Sequence, residues 1–281
     1  MVVGKEDMQG NDMFSVNCAV SVNTKQQRRF ERRPVKRASE PFELVHSDLC
    51  GPISVPSHSG AKYFIVYVND YSRRAWVFFL PDKSSTTVTS RFQEFTAWIW
   101  TNFDPLKYKI RRFRCDNGKG EDNNSLFRGI LRATGIQYGP APPYTQHKNG
   151  VSERIIRTIT NKARVLLLDS RLPAEFWAEA VQTATYLHAR SPSQSNTGRT
   201  QFEMIYKEKP ELHHLRRFGC LAYKLVPMPQ GGEKKFGRHS QECVMLGYVH
   251  QTTKIWRLWN QSTRQVIQVS DVNFDEDKLV S

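Results

Sequence analysis

The stretch from Tyr144 to Leu168, YTQHKNGVSERIIRTITNKARVLLL, decides how the rest of the chain is read. It opens on the turn pair Asn149-Gly150 and continues without a helix breaker. At helical spacing Ile155, Ile159, Ala163 and Leu166 fall on one apolar face, and Glu153, Arg157, Thr160 and Arg164 on another. Glu153 is a lone acid among Lys148, Arg154, Arg157, Lys162 and Arg164. It reads in two ways. A first-turn carboxylate is favoured by the helix macrodipole. Equally, it is one arm of a metal site facing a polyanion.

Working outward, the whole chain carries the same basic bias. Its 281 residues hold 41 Lys and Arg against 27 Asp and Glu, a formal net charge of +14. A surplus of that size points to nucleic acid, although net charge alone also fits a basic soluble protein. Hydrophobic residues make up 39% and aromatics 11%, enough to form a core. No uncharged apolar run approaches the roughly 18 residues of a membrane span, and the N-terminus lacks a secretory signal. The cysteines, Cys18, Cys50, Cys115, Cys220 and Cys243, are scattered and form no close C-x-x-C pair. That pattern argues for reduced thiols in an intracellular setting, against a disulfide framework and against an intact zinc module.

The texture changes along the chain. Residues 1–40 are polar and end in a basic block running from Lys25 to Arg37, in which Arg28, Arg29, Arg32 and Arg33 surround the single acid Glu31. Such a block suits a disordered nucleic-acid arm, a nuclear-import signal or a plain linker. Strand patterns follow in FELVHSDLCGPI, KYFIVYVNDYS and RAWVFFLPDK, the last two split by a turn at 69–72. Helical spacing of Val88, Phe92, Phe95 and Ile99 comes next, then the strand YKIRRFRCDNG, a short helix closed by Gly135, a short strand and the opening helix. This order predicts a mixed α/β layer over 41–172. A second helix with Pro173 in its first turn and a polar linker fill 173–215. Four short strands, CLAYKLVP, ECVMLGYV, KIWRLWN and QVIQVSDVNF, predict a small barrel over 216–276, with an acidic tail at 277–281.

Two further acids stand out. Asp48 lies inside the first strand, where a buried carboxylate needs a partner. Asp116 ends a basic strand. With the first strand central, the fourth beside it and the Glu153 helix packed across the same edge, Asp48, Asp116 and Glu153 converge. Converging carboxylates repel unless divalent ions intervene, and hard oxygen ligands suit Mg²⁺ or Mn²⁺. A pair of such ions serves phosphoryl transfer. Against this, Asp-Asn-Gly is a common turn and Asp48 could cap a bulge, so spacing alone leaves both readings open.

The words around these acids separate the two. In order, ELVHSDLCGP, DNGKGE, PPYTQHKNGVSER, FWAEAV, FGCLAY and WRLWNQSTRQVIQVSDVNFDE resemble the integrase of copia-type LTR retrotransposons, over roughly Phe42 to Glu276. The resemblance implies an RNase H-like mixed-sheet core with flanking helices, then an SH3-like β-barrel. It implies a catalytic, metal-binding triad of Asp48, Asp116 and Glu153 holding two Mg²⁺ or Mn²⁺. It further implies DNA end processing and strand transfer in the nucleus, and a homo-oligomer on DNA ends. Lys119, His147, Lys148, Asn149, Arg154, Arg157 and Arg164 become DNA-contact candidates, with the basic arm adding affinity; a solvated loop or a helix cap accounts for several of them equally well.

Two departures from the family pattern bear on function. The family's zinc module ends in a C-x-x-C, where this chain has Cys18 and then Ser21, and no histidine precedes His46. No zinc is therefore expected, and residues 1–40 become a degenerate remnant of that module. Lys119 stands where many relatives have a shorter Gly-Gly turn. The alternatives are an RNase H-like nuclease without strand transfer, and an inactive nucleic-acid-binding relic of a longer polyprotein. Trp98, Trp100, Trp177, Trp256 and Trp259 are expected to pack in the core or hairpins rather than to stack bases.

Overall fold

A computed structural model describes residues 37–103, 108–115, 125–139, 150–226, 239–250 and 252–279. The described residues all belong to one compact unit, 37–281. Of the basic block, only Arg37 falls among the described residues, and it is tied into the fold. Its Nε donates to the Asp70 carbonyl at 3.0 Å and its Nη2 to Asn196 Oδ1 at 2.6 Å.

The first strand, β1 (Leu44–Cys50), pairs antiparallel with β2 (Tyr63–Asn69), which pairs antiparallel with β3 (Ala75–Leu80). Helix α1 (Ser85–Asn102) follows, with Ser84 as its N-cap. Next come β4 (Arg112–Arg114), α2 (Ser125–Ala133) and β5 (Gln137–Tyr138). The five strands lie in the order β3-β2-β1-β4-β5, with β4 parallel to both β1 and β5. The first strand is thus central and the fourth lies beside it, as the sequence order predicts.

Period-2 alternation sorts this sheet's side chains. From β2, Ile65 and Tyr67 enter one cluster with Phe92, Phe95 and Ile99 of α1 and Phe127 and Leu131 of α2. Phe64, Val66 and Val68 enter another, covered by α3 (Gly150–Ser170) and α4 (Trp177–Arg190). Ile155, Ile159 and Ala163 are the buried stripe of α3, and Leu166 packs partly against it. A sheet buried on both faces explains the near-continuous apolar runs in these strands.

Beyond α4, a helical turn at Gln194–Asn196 leads to α5 (Gln201–Tyr206), which the polar composition of this region hid. Thr200 and Glu203 form a complete capping box there, enough to fix a short helix among linker residues. The last part is a five-stranded antiparallel sheet of β6 (Cys220–Leu225), β7 (Ser240–Tyr248), β8 (Trp256–Asn260), β9 (Gln265–Val269) and β10 (Val272–Leu279), in the order β10-β6-β7-β8-β9. The segment QVIQVSDVNF, expected as one strand, is two. They separate at Ser270-Asp271, and the second continues through Leu279, where an acidic tail was expected.

This sheet docks on the core through α4. Val244, Leu246 and Trp259 join the cluster that α3 and α4 form over β2. The Thr183 hydroxyl donates to the Leu246 carbonyl at 2.7 Å, and Arg257 grips the Glu179 carboxylate with Nε at 3.1 Å and Nη2 at 2.8 Å. Trp177 and Trp259 are buried as expected, but Trp100 is 57% exposed on the solvent side of α1. Cys50, Cys115, Cys220 and Cys243 form no disulfide.

Candidate active site and nucleic-acid interface

Asp48 sits near the middle of the central strand and is only 6% exposed. Its face follows from register. It pairs with Val66, and its strand neighbour His46 pairs with Val68. Directly paired residues in an antiparallel ladder point the same way. Val66 and Val68 pack under α3 and α4, and so does Cys50, two residues beyond Asp48. Asp48 therefore lies on the face that α3 covers. Its Oδ1 accepts the backbone N–H of Leu49 at 2.9 Å.

Glu153 is exposed in the first turn of α3. That helix packs on β1 and β2. The buried stripe faces the sheet, so the helix rotation turns the opposite side outward. Arg154, Arg157 and Arg164 are exposed, and among the described residues none of the three pairs with an acid. Arg164 reaches only Asn161, at 3.3 Å. Lys162 is different: it is half-buried, 3.2 Å from His188 Nδ1, and burial lowers its pKa.

Asp116, Lys119, His147, Lys148, Asn149, Arg28, Arg29, Arg32 and Arg33 lie outside the described residues. The strand leading to Asp116 is described. Arg114 of β4 pairs in parallel with His46 of β1, and Phe113 with Val45. Among the described residues no set of three or more metal-ligating side chains comes together, and Asp116 is outside that set. The two described carboxylates are hard oxygen donors carried by a strand and a helix, which fits a hard divalent cation. A buried acid on a central strand is costly without such a partner or hydrogen bonds.

One acid beside the site went unread in the sequence. Asp70, 4% exposed in the β2–β3 turn, accepts from His46 Nε2 at 3.0 Å, from the Ala38 N–H at 2.7 Å and from Arg73. These partners, led by the His46 hydrogen bond, overcome burial and hold its carboxyl far below the usual range, while burial lowers the pKa of His46. Asp70 thus anchors the strand that carries Asp48. Its turn context, Asn69-Asp70-Tyr71-Ser72, gave only the turn.

Comparison with known proteins agrees with this architecture. The model of the retroviral polymerase SH3-like domain matches residues 220–281. The chain is 37% identical over 238 residues to the retrovirus-related Pol polyprotein from transposon TNT 1-94 of Nicotiana tabacum, spanning 85% of this chain and 17% of that polyprotein. It is 30% identical over 241 residues to the corresponding polyprotein from transposon RE1 of Arabidopsis thaliana, spanning 85% and 16%. The chain thus spans about a sixth of the length of these relatives. Among solved structures, a chain of the simian T-cell lymphotropic virus intasome in complex with PP2A regulatory subunit B56 gamma superposes with a TM-score of 0.51 at 13% identity, over 84% of this chain and 78% of that one. By sequence this chain is similar to a stretch of the retrovirus-related Pol polyproteins of plant transposons, and its fold is an RNase H-like mixed-sheet core with flanking helices, continued by a region that matches the retroviral polymerase SH3-like domain.

Proposed function

We propose that this chain is the integrase region of a retrotransposon polyprotein, a divalent-metal-dependent polynucleotidyl transferase that processes element DNA ends and joins them to target DNA. The observation that carries the reading is the placement of Asp48. It is a buried carboxylate on the central strand, on the face covered by the helix whose first turn holds Glu153. Asp116 completes the set by sequence arithmetic. It follows Arg114 by two residues, as Asp48 follows His46, and Arg114 and His46 are paired.

Asp48, Asp116 and Glu153 would hold Mg²⁺ or Mn²⁺. Bound there, the ions would supply Lewis acidity toward both the entering and the leaving oxygen at phosphorus. The chain's own cations do the positioning. Arg154, Arg157 and Arg164 are exposed and unpaired with acids among the described residues, so they are available to phosphates. His147, Lys148 and Asn149, just before that helix, would contact the DNA end, with Lys119 beside Asp116. Arg28, Arg29, Arg32 and Arg33 would add salt-sensitive affinity that is independent of sequence. In end processing, water attacks a phosphodiester near the 3′ end and the 3′-oxygen leaves. In joining, the new 3′-hydroxyl attacks a target phosphodiester, and one P–O bond replaces another. Residues 41–172 carry this chemistry. Residues 216–276 form the small barrel that follows them, and the active form on two DNA ends is a homo-oligomer in the nucleus.

The test is a strand-transfer assay with a labelled DNA end, Mn²⁺ and a supercoiled target. The wild-type chain should give joined product that disappears with a chelator and in Asp116→Asn, whose circular dichroism should match wild type. Nicking without joining would favour the RNase H-like nuclease reading. Full activity in a folded Asp116→Asn variant would remove that residue from the site.

A further inference from the structure

A cavity of about 510 Å³ opens where the β2–β3 turn, α1, α4, α5 and the β7–β8 turn meet, and Asp48 is not in its lining. It has no part in the chemistry proposed above. Arg74 lines it while being only 5% exposed, a rare position for a cation. Its Nε and Nη1 are buried with no hydrogen-bond partner, and it forms no ion pair among the described residues. Burial lowers its pKa. What surrounds the guanidinium is aromatic. Its carbon lies 5.2 Å from the ring centres of both Trp76 and Tyr206, and 5.8 Å from that of Phe202.

Arg190, at the end of α4, repeats the pattern in the same cavity. Its guanidinium carbon is 3.4 Å from the Tyr186 ring centre and 5.1 Å from that of Phe202, and its Nε is buried without a partner. Burial first, with Arg74 adding to it, pushes its pKa down to about 10. Two guanidinium groups so close repel each other, and aromatic faces do not replace the hydrogen bonds both have lost. Arg190 keeps one long hydrogen bond, from Nη1 to the Tyr186 carbonyl at 3.4 Å, and among the described residues neither arginine pairs with a carboxylate. A buried fork with free donors is what an oxyanion recognises two-pronged.

The rest of the lining says which oxyanion. Lys209 and Lys254 stand at the rim with Glu208 and Glu211, so with Arg74 and Arg190 the lining holds four cations against two carboxylates. The surplus of cations suits a doubly charged group better than a singly charged phosphodiester. A duplex backbone cannot bring its phosphates down to a guanidinium this deeply buried, whereas a terminal phosphate can enter end-on. The aromatic wall offers stacking to a flat ring attached to it. We propose that this cavity binds a phosphate monoester carried on a planar base, with Arg74 and Arg190 gripping the phosphate. Two sources share that chemistry: a free nucleoside monophosphate and the 5′-phosphorylated end of a DNA strand.

The experiment is a thermal-shift titration of the full chain with inorganic phosphate, adenosine monophosphate, and a short single-stranded oligonucleotide with either a 5′-phosphate or a 5′-hydroxyl, against sodium chloride at equal ionic strength. The monophosphate should raise the melting temperature saturably, more than inorganic phosphate does, and chloride should not. A rise with the phosphorylated oligonucleotide but not the hydroxyl one identifies a DNA end as the source; a rise with the free nucleotide alone identifies the small molecule. Arg74→Met should abolish the shift. Because it removes an unpaired buried cation, it should melt no lower than wild type without ligand. Arg190→Gln, at a less buried position, should weaken binding at least tenfold and serves as the readout if Arg74→Met does not fold. An equal shift with chloride, or a full monophosphate shift in the folded variants, overturns the proposal.

Discussion

The two sheets of this molecule treat charge in opposite ways. The first buries Asp48 on its central strand, and Asp70 and Arg74 in the turn between β2 and β3. The second, β6 to β10, buries apolar side chains and the amide of Asn260, and among the described residues no ionised group. Burying a charge costs several kcal/mol unless it is paired. The second sheet behaves as a scaffold that avoids that cost, and the first accepts it three times. Each acceptance has its own resolution. Asp70 is held by His46, Arg73 and the Ala38 N–H. Asp48 takes a backbone donor and faces the helix that carries Glu153. Arg74 has aromatic neighbours and, among the described residues, no ion pair with an acid. The difference is the one expected if the first sheet carries the proposed site and the second serves mainly as a scaffold.

Ways to break that contrast differ in size. The largest is the loss of joining in the triad variants, which the scaffold sheet should not share. Next is a steric effect at the junction of the two regions. Gly219, just before β6, has φ +82°, and a Cβ there would lie 2.2 Å from Ser170 Cβ at the end of α3. Gly219→Ala combines a left-handed backbone with overpacking, and should destabilise the chain by about 2–4 kcal/mol. Urea unfolding should show it. The folded fraction should keep its joining activity, because Gly219 lies by the buried C-terminal end of that helix and Glu153 at its start. A Gly219→Ala variant as stable as wild type would mean that the sheets do not depend on this contact.

A smaller effect lies on the pH axis. His188 stands between Lys162 of α3, at 3.2 Å, and Gln201 of α5, at 3.1 Å. Burial, helped by Lys162, pushes its pKa down from 6.5 to about 4. The unfolded chain therefore takes up a proton first as pH falls. The stability held by neutral His188 is complete above its ordinary pKa and drains away from there down to its folded value. The loss of urea stability between about pH 7 and pH 5 should be smaller in His188→Gln than in wild type. Equal losses would show that His188 does not titrate in this window.

Much of this was legible in the sequence because periodicity reports burial. Val88, Phe92, Phe95 and Ile99 mark α1, and the Ile155, Ile159, Ala163 stripe sets the rotation of α3. The centrality of β1 followed from element order. What stayed hidden depends on contacts distant in sequence. A capping box alone marked α5 within a polar linker. The break at Ser270-Asp271 was masked by β-forming residues on both sides. Trp100 looks like a core residue until the helix rotation is known. Arg74 looks like any solvent-facing charge in SRRAW, since its burial is made by α4, α5 and the β7–β8 turn, all over 100 residues downstream. Asp116 and the residues from His147 to Asn149 lie outside the described residues, so their place in the site rests on sequence.

The central claim is that the charge the first sheet buries at Asp48 is there to hold a divalent cation, and a Mn²⁺ titration followed by thermal unfolding tests it most directly. In the wild-type chain the melting temperature should rise saturably with Mn²⁺, because an ion bound only by the folded state stabilises it by mass action. In Asp48→Asn that rise should vanish. Without metal the variant should melt at or above wild type, since a neutral amide is cheaper to bury than a carboxylate. The same Mn²⁺-dependent rise in both proteins, or a metal-free variant that unfolds several degrees lower, would contradict the account and make Asp48 a structural acid like Asp70.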